Sequence, residues 1–404
     1  MRRLLIALIS SLAPALAHAQ QATPVKIGVL TDLSGVASDD SGPGSVEAAK
    51  MAVEAYGGKA LGLPIEIVSA NHQNKPDVAA SIARQWYQSE GVDAIVDLTV
   101  SSVALAVQDL AKTLGKVTMV TGSGSTDLIN SACSETGLVW TFTTTAYARP
   151  PAQVLLKEEK KKWFIMSVDY AFGKGLEKEA SDALTAGGGT VLDAVRFPFD
   201  TTDFSSYLVQ AQSSGAEVVA LGAGGGILVT WAKQTAEFGL REQGLTLAPL
   251  SMTVRSSHSI GLDIGQGMTF SSAYYWDQDD QTRAFATEFT KRMGVPPTEM
   301  QAGVYSAVTH YLKAVDAIGN KDGKATVAKM KEGPVEDFFS RNGKIRADGL
   351  LVKDFYVYQM KAPAESQNEW DLWKLVAKVP GEDAYAPLSE SSCPLVTAAK
   401  GTAQ

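Results

Sequence analysis

Histidine and cysteine are scarce, with four of the first and two of the second in 404 residues. His72, His258 and His310 stand apart without metal-ligand spacing, and neither Cys133 nor Cys393 has a cysteine neighbour. No zinc or redox motif can be written from them. A serine nucleophile is poorly provided for as well, because Ser123 lacks the first glycine of a Gly-x-Ser-x-Gly elbow. Gly-x-Gly-x-x-Gly is missing, and no lysine closes a glycine-rich loop as in a P-loop. Positive charge is in deficit. The formal net charge is -8, spread over short segments, which disfavours nucleic acid and anionic membrane as partners. Long hydrophobic runs are lacking too, since the longest, Leu4 to Ala17, is broken by Ser10, Ser11 and Pro14. A spanning helix needs roughly 20 apolar residues.

That run, preceded by Arg2 and Arg3 and followed by Ala17-His18-Ala19, has the form of an export signal over residues 1–19, cleaved after Ala19. No cysteine follows the cleavage point, so a diffusing periplasmic protein is expected rather than a lipid-anchored one. An oxidising compartment favours pairing of Cys133 with Cys393. Such a bridge closes a loop of well over 100 residues and contributes on the order of 4 to 5 kcal/mol on the chain-entropy account. It would pin the C-terminal tail.

From Val25 onward, apolar runs of strand length alternate with segments of helical period, the pattern of a parallel sheet covered on both faces. Strands are expected at Val25–Leu30, Pro64–Ser69, Ala94–Leu98 and Val117–Val120, with helices at Ser45–Tyr56, Val78–Glu90 and Ser102–Leu114 between them. A second series has strands Trp163–Val168, Thr190–Val195, Val218–Leu221 and Leu247–Leu250, and helices Phe172–Ala186, Phe204–Ser213 and Leu228–Phe238. Two later helical patterns, Thr282–Met293 and Gly303–Ile318, are assigned back to the first series, and Lys353–Gln359 reads as a last strand. The fold class is therefore α/β, two doubly wound parallel-sheet lobes joined by three hinge strands near Val139–Thr145, Ser271–Trp276 and Leu350–Phe355. The expected boundaries are 24–142 plus 273–352 for the N-terminal lobe and 143–272 plus 353–377 for the C-terminal lobe. A tail, 378–404, is tied back to the first lobe. The charge run Glu158–Lys162 reads as a solvated helix end.

Small polar turns follow several strands. Val25 to Gly35 runs from a buried strand into Thr-Asp-Leu-Ser-Gly, so a ligand site is expected to begin at the first strand end. Thr121-Gly-Ser-Gly-Ser-Thr-Asp127 and the cluster Thr99, Ser101 and Ser102 follow adjacent strands, where hydroxyls and free backbone N–H groups suit an anion such as a carboxylate. Open α/β sheets bind ligands at their carboxyl ends, although plain turns have the same composition. In the second series, Tyr170 and Phe172 follow the first strand, and Gly222-Ala-Gly-Gly-Gly226 allows close backbone approach. Arg255 falls just past the next strand end, where it could take a carboxylate or lie on the surface.

These residues resemble the leucine/isoleucine/valine-binding family of periplasmic solute-binding proteins, the soluble receptors of ATP-driven (ABC) importers. The resemblance rests on Val25–Gly35, the helix Gly44-Ser-Val-Glu-Ala-Ala-Lys-Met-Ala-Val53, Ser101-Ser102, Gly122-Ser-Gly-Ser125, Tyr170-Ala-Phe-Gly173 and Asp203-Phe-Ser-Ser206. It implies a type I periplasmic binding protein that closes around its ligand as a hinge. It also implies a carboxylate held by Ser101, Ser102, Ser123, Gly124 and Ser125, with Thr145, Tyr147, Tyr170, Phe172, Gly224 and Arg255 completing the site. Where the family has an acidic group for an amino acid's ammonium, this chain has Thr253, and one usual aromatic falls at Gly224. An ammonium would be left unpaired, a cost of several kcal/mol. The expected ligand is thus an organic acid, with room for an aromatic ring beside Gly224–Gly226. Asn71–Pro76, Tyr275-Trp-Asp277 and Cys393-Pro-Leu-Val396 resemble a subgroup whose ligands include aromatic carboxylates.

The expected function is a non-enzymatic monomeric receptor, without cofactor or metal, that hands its ligand to ABC permease subunits in the inner membrane. The alternatives are a branched-chain or other amino-acid receptor of the same importer type, and a ligand sensor for a chemoreceptor or sensor kinase. A secreted serine hydrolase using Ser123 or Ser125 with His72 or His258 is the alternative of another class.

Overall fold

The structure is a computed structural model that describes residues 23–401, with side chains to residue 398. The leader expected over residues 1–19 lies outside the described residues. Strand–helix alternation begins with β1 (Val25–Thr31), α1 (Gly42–Tyr56), the hairpin β2 (Lys59–Ala60) and β3 (Leu63–Asn71), and α2 (Pro76–Gln88). It continues through β4 (Ala94–Asp97), α3 (Ser101–Leu114), β5 (Val117–Val120) and β6 (Gly137–Val139). These strands form one sheet in the order β2-β3-β1-β4-β5-β6, with β1, β3, β4, β5 and β6 parallel. Crossover helices cover both faces, so the central strands are apolar along their length, and Ile27, Val29, Ile95, Val96 and Met119 are fully buried. Gly28 lets α2 settle on the sheet, because a Cβ there would meet the Trp86 ring at 2.4 Å.

A second lobe is built from α4 (Thr144–Lys157), β7 (Lys162–Val168), α5 (Ala171–Ala186), β8 (Thr190–Phe197), α6 (Ser205–Ser213), β9 (Val218–Gly222), α7 (Gly225–Glu237) and β10 (Thr246–Pro249). Its parallel sheet has the order β10-β9-β7-β8. The short helices α8 (Val254–Ile260) and α9 (Leu262–Gly265) precede β11 (Thr269–Ser272). The chain then returns to pack α10 (Asp280–Met293), α11 (Glu299–Ile318) and α12 (Gly323–Glu332) on the first lobe, α11 lying along α1. A two-stranded pair, β12 (Lys344–Ile345) and β13 (Leu351–Val352), leads to β14 (Phe355–Met360) and β15 (Trp373–Val379), which form an antiparallel sheet with β11. No helix among the described residues is long and apolar enough to cross a membrane.

Three passages join the lobes as expected, the first of them irregular over part of its length. The first strand ends at Val139, and the chain runs irregularly to Thr143, whose hydroxyl caps α4 by accepting the Ala146 N–H. Thr145 is thus in a helix, not a hinge strand. The other passages lie beyond Ser272, where β11 stops, and between Val352 and Phe355.

Helix α4 was not legible because Pro150 and Pro151 sit in its interior, where each removes an N–H from the i→i−4 ladder. The orphaned carbonyls would be those of Ala146 and Tyr147. Both lie 2.9 Å from the Ser271 hydroxyl, whose single proton they share, so one side chain on β11 makes up in part for two missing donors.

The expected disulfide is formed between Cys133 and Cys393. Asn130 adds a side-chain acceptor for the Ser392 N–H and Arg346 donates to the Ala386 carbonyl, so the tail is held on the first lobe.

Candidate functional site

The carboxyl ends of both parallel sheets open onto one cleft, where the strand-end turns enclose a cavity of about 60 Å³. At roughly 10–15 Å³ per water-sized sphere, that is room for a small molecule and not for a peptide. From the first lobe come Val36, Ala37 and Asp40 after β1, Thr99 to Ser101 after β4, and Gly122 and Ser123 after β5, with Phe142 and Met300 beneath. The second lobe contributes Tyr170 and Phe172 after β7, Phe199 after β8, Ala223 to Gly225 after β9, and Ser251 after β10.

The hydroxyl-bearing turn after β4 is strained. Asp97, Leu98 and Val100 have φ of 82°, 58° and 72°, a left-handed region that a β-branched residue such as Val100 rarely enters. The turn delivers Ser101 to the first position of α3, whose opening N–H groups have no carbonyl a turn earlier to bond. Ser101 Oγ and Ser123 Oγ are both buried without a hydrogen-bond partner. Unpaired hydroxyls beside a helix N-terminus make a ready place for an anion. Beneath them Asp97 is fully buried, and burial raises its pKa to about 6 against the hydroxyls of Thr31 and Thr121 around it.

The remaining walls are apolar. Phe172 meets Phe142 edge-on at 6.3 Å, and Tyr170 meets Phe199 edge-on at 5.4 Å. Gly224 lies against Ser251, leaving the floor of the second lobe without a side chain.

Of the residues expected at the site, Ser101, Ser123, Tyr170, Phe172 and Gly224 line this cavity; Ser102, Gly124, Ser125, Thr145, Tyr147 and Arg255 do not. Ser102 is half-buried on the next position of α3. Gly124 is spent on the fold, its carbonyl accepting the Thr144 N–H and its Cα pressed on the Phe142 ring. Ser125 caps a 3₁₀ turn at Thr126–Ile129. Thr145 is buried within α4. Tyr147 stacks on Phe142 at 4.2 Å and donates its hydroxyl to Glu299. Arg255 leans over Trp370 and approaches Asp39 at 3.9 Å.

The expectation that an ammonium would find no partner here, with Thr253 at the family's acidic position, meets an acid supplied from elsewhere in the chain. Asp40, five residues past the polar turn that the first strand announces, lines the cavity and is only 5% exposed. Burial raises its pKa to about 6, while a Thr253 hydroxyl, donating at 2.5 Å, opposes that rise. Sequence reasoning also missed Val36, Phe142, Phe199, Ser251 and Met300, which become neighbours only through the fold.

The hydrolase arrangement is not assembled. His72 is buried, accepts the Asn74 N–H at Nδ1, and is pushed down to about pKa 4 by burial. His258 stacks on Trp370 at 4.0 Å beside Glu369. Neither lines the cavity or bonds Ser123. Among the described residues no cluster of histidine, cysteine or carboxylate side chains is arranged to hold a metal.

Comparisons with known proteins agree with this fold. The Periplasmic binding protein family profile matches residues 24–367. A Leu/Ile/Val-binding protein homolog 6 of Brucella melitensis is 28% identical over 82% of this chain and 85% of its own. A periplasmic binding protein from Burkholderia mallei superposes with a TM-score of 0.90 at 41% identity, covering 92% of this chain and 99% of that one. A branched chain amino acid ABC transporter periplasmic ligand-binding protein from Burkholderia xenovorans LB400 gives 0.84 at 41% identity, over 92% and 100%. At 22% identity, a solute binding protein of an R. palustris ABC transporter, in complex with benzoate, shares the fold with a TM-score of 0.82 over 92% and 100%. With more than four-fifths of its length matched by one profile and a two-lobe architecture around a single cleft, the chain belongs to the periplasmic binding protein family.

Proposed function

We propose that this protein is the solute-binding receptor of an ABC importer, and that it captures a small carboxylate with a bulky apolar, aromatic-sized body and delivers it to membrane permease subunits. The observation that carries this reading is the pair of unpartnered hydroxyls, Ser101 Oγ at the start of α3 and Ser123 Oγ after β5, inside a cleft otherwise walled by Phe142, Tyr170, Phe172 and Phe199. A carboxylate would supply the missing acceptors, and the rings would cover its body. Because the walls belong to both lobes, the full set of contacts exists only in the closed form, which couples affinity to motion. The names of the relatives from Burkholderia xenovorans and Brucella melitensis support the transport role.

A second reading, an amino-acid ligand, is favoured by Asp40, which can receive an ammonium. A thermal-shift screen separates the two. A solute at about 100 times its dissociation constant stabilises by roughly 2.7 kcal/mol. Stabilisation by benzoate-like acids is expected. Stabilisation by leucine or valine alone, and by no amine-free acid, selects the second reading, and turnover of a bound ester or amide overturns both.

A further inference from the structure

The cavity holds one feature that capture of a carboxylate does not use, the buried carboxyl of Asp40. Its Oδ1 accepts the Thr253 hydroxyl across the cleft, and its backbone carbonyl accepts the Thr298 hydroxyl at 2.6 Å, which fixes the side chain in place. No lysine or arginine among the described residues comes within ion-pair distance of it. Arg255, the nearest cation, pairs instead with the neighbouring, exposed Asp39 at 3.9 Å. Oδ2 has no hydrogen-bond donor among the described residues, and it lies on the side of Gly225, 3.6 Å from where a Cβ would be built there. A buried carboxylate with half of its acceptor capacity unused costs free energy unless something donates to it. The open side of this one is the cavity.

We propose that Asp40 selects solutes by their second polar group, retaining monocarboxylates that also carry a hydrogen-bond donor, an ammonium or hydroxyl, and rejecting those with a second carboxylate. This rests on the receptor reading above and adds the chemistry of the ligand's other end. A donor satisfies Oδ2; a bare hydrocarbon leaves it unpaired; a second anion is repelled. The α7 N-terminus lies beside Oδ2, where the Gly226 N–H bonds Val36 O at 3.2 Å.

The test uses matched solutes on the intact mature protein: 4-hydroxybenzoate against benzoate, L-leucine against 4-methylpentanoate, and terephthalate as the second anion. Titration calorimetry at pH 7.5 should give the donor-bearing member of a bound pair about tenfold tighter binding, with terephthalate unbound. In Asp40→Asn, which keeps an acceptor for Thr253, the preference should fall below about threefold and terephthalate should gain affinity. Thr253→Val, which removes the contact across the cleft but not the charge, should weaken both members of a pair alike and leave their ratio intact. A preference unchanged in Asp40→Asn, or no preference in the native protein, overturns the assignment while leaving the receptor reading standing. No binding by any member of the panel overturns both.

Discussion

A single side chain decides most at Ser101 and Ser123. Both hydroxyls are buried and unpaired, so truncating either removes no hydrogen bond from the unliganded protein. Ser101→Ala and Ser123→Ala should therefore leave the melting temperature unchanged or slightly raised, while weakening carboxylate binding about tenfold each, as expected for a bond to a charged group. Melting curves and calorimetry on the same samples check both halves. Glu299 makes a different forecast. It is buried at the passage between lobes, accepts from the Tyr147 and Ser272 hydroxyls and the Ala273 N–H, and burial lifts its pKa from 4.5 to about 7. Between those values the folded chain keeps a proton that the unfolded chain has released. Stability from this group is therefore greatest below pH 4.5, falls as pH rises toward 7 and is flat beyond. Lys353, whose ammonium donates to Ala273 O and is lowered to about 8 by burial, acts outside that window, adding a rise between about 8 and 10.5. Glu299→Gln should abolish the fall, so that its stability relative to the native chain improves by on the order of 3 kcal/mol from pH 4.5 to 7.5. Urea unfolding at the two pH values measures it, and parallel curves for the two proteins would exclude the assignment.

Among the elements, α4 is the one whose existence depends on another. With Pro150 and Pro151 in its interior, its free carbonyls share the hydroxyl of Ser271 on β11. Ser271→Ala should remove the one proton these two buried acceptors share and cost about 1 to 3 kcal/mol, read as a lower midpoint in urea, whereas Ser271→Thr, retaining the hydroxyl, should recover part of it. The same element shows where sequence reading stopped. Strands such as Val25–Thr31 and Ala94–Asp97 were legible because buried parallel strands are apolar throughout, and α2 and α3 because their apolar residues recur at helical spacing. A helix with two internal prolines violates its own signal, and only the tertiary donor from β11 restores it. Helix α8 was missed because seven residues give too few turns to establish a period.

Across the whole molecule, the two-lobe plan was readable from the repeated strand–helix alternation, and half of the candidate site from the rule that strand ends hold ligands. The turns bearing Ser101, Ser123, Tyr170, Phe172 and Gly224 converge as that rule requires. Tyr147, Ser125 and Arg255 had the right chemistry and the right neighbourhood in the chain, but a strand-end side chain can turn to the core, cap a turn or face outward, and only packing decides which. Asp40 and Phe199 stand too far along their loops for periodicity to place them. The Cys133–Cys393 bridge, inferred from compartment and number alone, spans 260 residues. Replacing both cysteines by serine should cost about 4 to 5 kcal/mol in unfolding free energy on the chain-entropy account, and release of the tail should appear as new proteolytic cleavage after Val379 without loss of the cleft.

That bridge also governs how the molecule carries load. The first described residues are held by Lys321, which donates to the carbonyls of Thr23 and Pro24, and the tail is welded at Cys133. Pulled by its two ends, the chain would pass tension from residue 23 to residue 133 and straight across the sulfurs to residue 393. Everything between those cysteines, the second half and all three passages included, would stay slack until the bond is reduced.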